Sequence, residues 1–371
     1  FMRADWSTFK IVPYSPGHAR VFTNIFNGTE PWTNCPRSFL QKVISKAQKS
    51  GLNFMAAFEN EFYLLSRIDE KLVPFDQSLF AQTSALDKAH YIISEITSSL
   101  AQQEIYPEMV YSESGGGQFE IPVHFSNIMT AADQQVVFRE TVRGVAQKNT
   151  NLVASFVPKL FANKAGNGAH LHLSIWRNGE NITASKTSAH EISKEAEYFI
   201  AGILHHLPAL MCLTTPSTNS YKRIQPRFWS GAYTCWGYGN REAAVRIPQV
   251  DTEGSITNFE LKTVDPSCNP YLALGAVISA GLDGIEKKMI LNKQVNKDPA
   301  DLTEREMKES NIKRLPLNLG EAIEFLTEDV VLLHALEKDL SQSFLAVRTA
   351  EWEAMKNMTV EQEREILLER Y

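Results

Sequence analysis

Three short segments carry ionisable or hydroxyl side chains at every second position inside otherwise apolar runs. Phe58-Glu59-Asn60-Glu61-Phe62-Tyr63 holds two glutamates two apart. Ala169-His170-Leu171-His172-Leu173-Ser174-Ile175 holds two histidines and a serine, and Asn258-Phe259-Glu260-Leu261-Lys262 holds a glutamate and a lysine. A strand turns alternate side chains to opposite faces, so each segment would gather its polar groups on one face. Carboxylates side by side repel and are costly to desolvate, a cost that a bound cation removes. A solvated strand face is the plain alternative for any one pair. Glu113 and Glu120 flank Gly115-Gly116-Gly117, a turn able to fold two more carboxylates toward one point. Glu59, Glu61, Glu113, Glu120 and Glu260 with His170 are mostly oxygen donors, which suit magnesium or manganese better than zinc.

A second set is basic. Arg241 and Arg246 stand five apart in Asn240-Arg241-Glu242-Ala243-Ala244-Val245-Arg246-Ile247-Pro248, and Arg223 lies in Ser220-Tyr221-Lys222-Arg223. Arginine forks match phosphate oxygens, although each arginine alone also fits a surface ion pair. Carboxylates and a histidine combined with arginines imply metal-assisted phosphoryl transfer. No GxxxxGK[ST] occurs, which excludes a P-loop.

The 371 residues are 43% hydrophobic and 22% charged, with a net charge of −6, as in a globular chain. That acidity argues against a nucleic-acid partner. Cys35, Cys212, Cys235 and Cys268 are scattered and read as reduced thiols. No apolar run reaches the roughly 18 residues of a membrane span, and no signal-peptide pattern opens the chain. A cytoplasmic location without a membrane partner is expected.

Periodicity predicts helices from Pro36 to Gly51, Ser84 to Gln102, Ala131 to Gln147, Glu191 to Cys212 and Asn269 to Gly284, with a helical C-terminal region. Strands are predicted at 54–65, 109–123 around the glycine turn, 170–176, 243–248 and 258–264, with a hairpin turn at Arg177-Asn178-Gly179-Glu180. The mixture lacks βαβ alternation and indicates an α+β fold around a mainly antiparallel sheet. Trp236 and Trp352 read as core aromatics, His205 and His206 as surface or interface residues, and Asp265 and Asn269 as turn formers.

Five stretches in order resemble the glutamine synthetase family: FENEFYLL, ESGGGQFEIPV, GNGAHLHLSIW, NSYKRIQP…NREAAVRIP and ELKTVDPSCNPYLALGAVISAGLDGI. The resemblance implies that family's catalytic domain, a curved, mainly antiparallel sheet surrounded by helices, over residues 36–371. Residues 1–35 then read as a linker or entry segment after a missing N-terminal β-grasp domain. It also implies two or three magnesium or manganese ions with ATP as substrate. Glu61, Glu113 and Glu120 match the ligands of one ion, and Glu59, His170 and Glu260 those of a second. Glu108, Phe125, His172 and Ser174 match nucleotide contacts, and Arg241 and Arg246 match phosphate-holding arginines. Arg223 matches the arginine facing the carboxylate to be activated. The implied partners are a glutamate-like acid, an amine and further copies of the chain in a decameric or dodecameric ring.

Three positions depart from the family pattern. Trp229, in Pro226-Arg227-Phe228-Trp229-Ser230, stands where a flap glutamate helps deprotonate ammonia. Lys262 replaces an arginine, and Ala165 an asparagine that helps hold the acid. Trp229 and Lys262 join Arg223 and Arg246 as the residues expected to shape the reaction. The pattern predicts an ATP-dependent carboxylate–amine ligase, a γ-glutamyl ligase for an amine other than ammonia. A catalytically silent relative like lengsin and an ordinary glutamine synthetase are the alternatives.

Overall fold

The computed structural model describes residues 1–69, 71–149, 151–185, 191–248 and 256–371. Strands β1 (Met2–Ile11), β2 (Ala19–Asn27) and β3 (Glu30–Pro31) form a separate antiparallel sheet. The segment expected as a linker is therefore ordered. It is tied to the rest by Arg37, which bonds Asp5 (2.8 Å) and Asn24 (2.7 Å) while its Nε and Nη2 also bind Asp133.

Pro36 opens α1 (Pro36–Lys49) at its first turn, as expected of a residue without an amide N–H. The long strand β4 (Asn53–Ile68) follows, then β5 (Lys71–Pro74) and α2 (Thr83–Ala101). Next come β6 (Tyr111–Ser112), β7 (Gln118–Pro122), β8 (Ser126–Asn127), α3 (Ile128–Gln147) and β9 (Leu152–Ser155). Strand β10 (Ala169–Arg177) turns into β11 (Glu180–Asn181) through Asn178 (φ 52°) and Gly179 (φ 83°), the positive-φ pair the hairpin turn demands.

Helices α4 (Lys194–Thr214) and α5 (Ser220–Arg223) lead to short strands β12 (Trp236–Tyr238), β13 (Val245–Ile247) and β14 (Phe259–Leu261). Helix α6 (Pro270–Lys287) is capped by Asn269, whose side chain accepts from the amides of Tyr271 and Leu272. A 3-10 turn at Pro299–Asp301 and α7 (Glu304–Glu309) make a charged surface segment. Helices α8 (Leu319–Glu328), α9 (Val330–Met355, interrupted at Glu337 with φ 60°) and α10 (Val360–Leu367) close the chain. A capping box formed by Thr359 and Gln362 opens α10.

Among the described residues, β4 to β14 make one eleven-stranded sheet whose central path runs β12-β13-β14-β10-β4-β7-β6. Its pairs are antiparallel except β12–β13. The expected α+β class, with a mainly antiparallel sheet and surrounding helices, is what the chain adopts. Burial alternates along β4: Phe54, Ala56, Phe58 and Asn60 are buried toward the helices, where Asn60 accepts from Gln135 of α3 (2.6 Å). The helix-covered side merges into a large core holding Phe58, Phe199, Trp236, Phe259 and the apolar face of α6.

Helix α4 has the length and mean hydropathy (1.3) of a membrane span, yet 83% of its apolar window is buried inside the protein, which marks it as a core helix. His206 on this helix corrects the surface reading. It is buried, with Nδ1 2.6 Å from Asp329 and Nε2 3.0 Å from Asp283. The four cysteines are unpaired and buried.

Candidate active site

The opposite face of the sheet gathers the ionisable side chains. Register sets their positions: His170 lies across from Glu59, Glu61 from Glu120, Glu260 from His172, and Arg246 from Glu260. Tyr111 on β6 faces Glu120 from the other side. Gly117 (φ 75°) completes the turn that returns Glu113 beside β7. A Cβ there would come within 2.7 Å of the Leu64 carbonyl, so the turn requires glycine.

Two donor sets result. Oxygens of Glu61, Glu113 and Glu120 lie within 4.8 Å of one another, and so do donor atoms of Glu59, His172 and Glu260. His170 sits between them, its Nδ1 3.4 Å from both Glu59 and Glu260 and 4.0 Å from Glu61. The sequence-predicted ligands thus converge, with His172 drawn in as well: its Nε2 is 2.9 Å from Glu59, while its Nδ1 meets Asn258 at 2.8 Å.

The electrostatics divide the face. Burial, then the charge of Glu113, pushes Glu61 up to about 7. Burial, then the charges of Glu61 and Glu59, pushes Glu120 up to about 10. At Glu59 burial works upward, but the positive charge of His172 and hydrogen bonds from both histidines hold the carboxyl well below the usual range. At Glu260 burial is likewise outweighed, by Lys262 and then His170, and the carboxyl falls to about 2. Burial, then Lys262, takes His170 down to about 4. At His172 burial is overcome by Glu59, and the ring rises to about 9.

Divalent cations fit these residues. Glu61 accepts from the Gly168 amide (2.8 Å), and among the described residues no lysine or arginine pairs with Glu61, Glu113 or Glu120. An all-oxygen trio suits a hard cation, and the second set adds imidazole.

The basic residues close the same space. Lys262 Nζ lies 3.0 Å and Arg246 Nη1 2.6 Å from Glu260. Arg223 is buried, donates to the Val264 carbonyl (3.0 Å), and leaves its Nε without a partner. Arg223, Trp229, Arg241, Arg246 and Lys262 line a cavity of about 110 Å³ together with the carboxylates. Arg241 stacks over Trp229, 5.2 Å from the ring. A neighbouring cavity of about 290 Å³ shares Glu59 and is lined by Glu108, Phe125, His172 and Ser174. Every residue expected from the sequence to bind an ion, nucleotide or substrate therefore borders one of two adjoining cavities.

Some site residues were missed. Trp176 walls the second cavity beside Phe125 (6.3 Å between rings) and donates to Ser174 (2.8 Å). It continues the 170-172-174 alternation by one step, a signal that was available. Asn258 likewise extends the 260-262 alternation by one step, whereas Tyr111 had no comparable signal, because its role arises from its pairing across β7 with Glu120.

These strands and cavities set two groups of side chains that could hold divalent cations beside a row of arginines. Residues 33–367 match the family described as glutamine synthetase, catalytic domain. The chain is 35% identical to type-1 glutamine synthetase 1 of Dictyostelium discoideum over 94% of its length and 72% of that protein. It is 36% identical to the glutamine synthetase of Thermococcus kodakarensis, covering 95% and 78%. Among solved structures, a GmaS/ADP complex superposes with a TM-score of 0.88 at 28% identity, covering 100% of this chain and 85% of that one. A novel glutamine synthase homolog gives 0.87 at 32%, covering 100% and 84%. The chain belongs to the glutamine synthetase family, a family of ATP-dependent ligases.

Proposed function

We propose that this protein joins a glutamate-like acid to an amine other than ammonia, using ATP and two or three magnesium or manganese ions. The observation that carries the reading is the contrast inside one cavity. The residues that match the family's ion and phosphate contacts line it, while Trp229 and Phe228 line the wall where the family places a flap glutamate. An indole cannot take a proton from an ammonium ion, and its apolar surface suits an acceptor amine with an apolar substituent better than ammonia. A silent relative would have no use for a carboxylate trio this costly to bury.

Bound divalent ions supply charge neutralisation for the ATP phosphates. Arg246 and Arg241 hold phosphate oxygens, and Phe125 with Trp176 provides aromatic faces for the nucleotide base. Arg223 faces the acid. The acid carboxylate attacks the terminal phosphorus of ATP and releases ADP, giving an acyl phosphate. The amine, in its neutral form, then attacks the acyl carbon; the C–O bond to phosphate breaks, the nitrogen gives its proton to the departing phosphate, and an amide remains. The aromatic wall keeps water from competing for that acyl carbon. Assembly into a homo-oligomeric ring in a reducing, cytoplasmic setting belongs to the same proposal.

A phosphate-release screen of glutamate against ammonia and a panel of primary amines tests the reading. Turnover with a substituted amine exceeding that with ammonia is expected. Preference for ammonia would restore ordinary glutamine synthetase, and no release with any amine would favour the silent relative.

A further inference from the structure

The loop that carries Trp229 is fastened at two levels. At its neck Ser230 is buried; its hydroxyl donates to the Gln225 carbonyl (2.8 Å) and accepts from the Gln225 amide (3.0 Å). At its tip, Glu242 accepts from two backbone amides with separate oxygens: Trp229 at 2.9 Å and Arg227 at 3.0 Å. Glu242 is 9% exposed, on the segment leading into β13. The tip needs this hold because Arg227 (φ 64°) and Trp229 (φ 52°) both occupy the left-handed region, where a bulky side chain is strained. Gly231 (φ 73°) completes the return, and a Cβ on it would come within 2.8 Å of Ala244. Arg241, next to Glu242 in the chain, then stacks on the Trp229 ring. Arg227 also reaches Asp301 at 2.7 Å, but that pair is exposed and contributes little.

We infer that Glu242 is a positioning residue that fastens the Pro226–Trp229 loop as a fixed aromatic wall, and that this wall selects acceptor amines bearing an apolar substituent. The selectivity half rests on the ligase reading above; the fastening half stands on the loop geometry alone. Glu242 touches no reacting atom in this account. It acts by holding two amides whose residues would otherwise relax out of the left-handed region and carry the indole away from the cavity.

Two readouts separate the halves. Trypsin cleavage after Arg227, followed by mass spectrometry, reports opening of the exposed tip. Glu242→Ala is expected to accelerate that one cleavage at least tenfold, with the melting temperature of the whole protein little changed. Glu242→Gln, which keeps one acceptor and sets an NH2 against the second amide, should fall between. Equal cleavage in all three proteins overturns the fastening, whether or not any amine is turned over. In steady-state assays with the amine found by the phosphate-release screen, Glu242→Ala should raise KM for the amine at least tenfold and leave KM for ATP within twofold. An unchanged amine KM, or an equal rise for ATP and amine, overturns the selectivity role.

Discussion

The carboxylate face of the sheet and the His206 cluster of the helical layer bury ionisable groups in opposite ways. His206 is held between Asp329 and Asp283, Lys287 pairs with Asp283 at 3.0 Å, and Asp329 also caps α9 through the amides of Val331 and Leu332. Each charge there has its partner from the chain itself. On the sheet, Glu61, Glu113 and Glu120 crowd together with their charges opposing, and burial with mutual repulsion drives Glu61 and Glu120 upward. A self-satisfied cluster stabilises a fold. A cluster left in conflict by its own chain marks a place where something else is meant to bind.

The comparison breaks most visibly if Glu61 is neutralised. Glu61→Gln should cut phosphate release by about a thousandfold, several kcal/mol of lost metal-assisted stabilisation, while the metal-free protein melts no lower than the wild type. A lower metal-free melting temperature would mean that Glu61 supports the fold.

Next in size is His206→Ala. Two buried aspartates lose their shared partner, and urea denaturation should show a loss of roughly 3–5 kcal/mol. The stabilisation produced by manganese should survive in this variant. Manganese at about a hundred times its dissociation constant should raise the stability of the wild type by ~2.7 kcal/mol for each site filled. That gain should vanish with chelator.

The two clusters also differ in pH response. Burial alone would lower His206, but the hydrogen bonds its ring donates to Asp329 and Asp283 outweigh it and raise the ring above 6.5. Its contribution is therefore complete below pH 6.5 and fades as pH rises through the higher folded value. The two aspartates are held below 3.8, burial being outweighed mainly by His206, so their contribution is present above pH 3.8 and fades as pH falls through their lower folded values. Urea midpoints of wild type and His206→Asn should converge as the solution is made alkaline. The smallest effect is expected from Arg227→Ala, whose exposed pairs with Asp298 and Asp301 should leave the urea midpoint unmoved.

Much of the site was legible because a strand converts spacing into geometry. Glu59 with Glu61, His170 with His172, and Glu260 with Lys262 had to share faces once β4, β10 and β14 were recognised. Their convergence required antiparallel pairing, which local sequence does not encode. The close approach of His172 to Glu59 depends on ring orientation, which spacing cannot supply. The burial of His206 was hidden because its partners lie 77 and 123 residues away. Residues 1–35 read only as a linker, although Val21, Thr23 and Ile25 alternate within β2; the anchoring through Arg37 has no local signal. The short strand β9, held by pairing with β4, carries too few residues for a periodic signal.

The central claim is that the two donor sets bind divalent cations. An electron paramagnetic resonance titration of manganese into metal-free protein tests it directly. The six-line signal of free manganese should stay suppressed for the first two equivalents per chain, one for each donor set, and Glu61→Gln should lose one of them. A free-ion signal rising in proportion from the first addition would contradict the account.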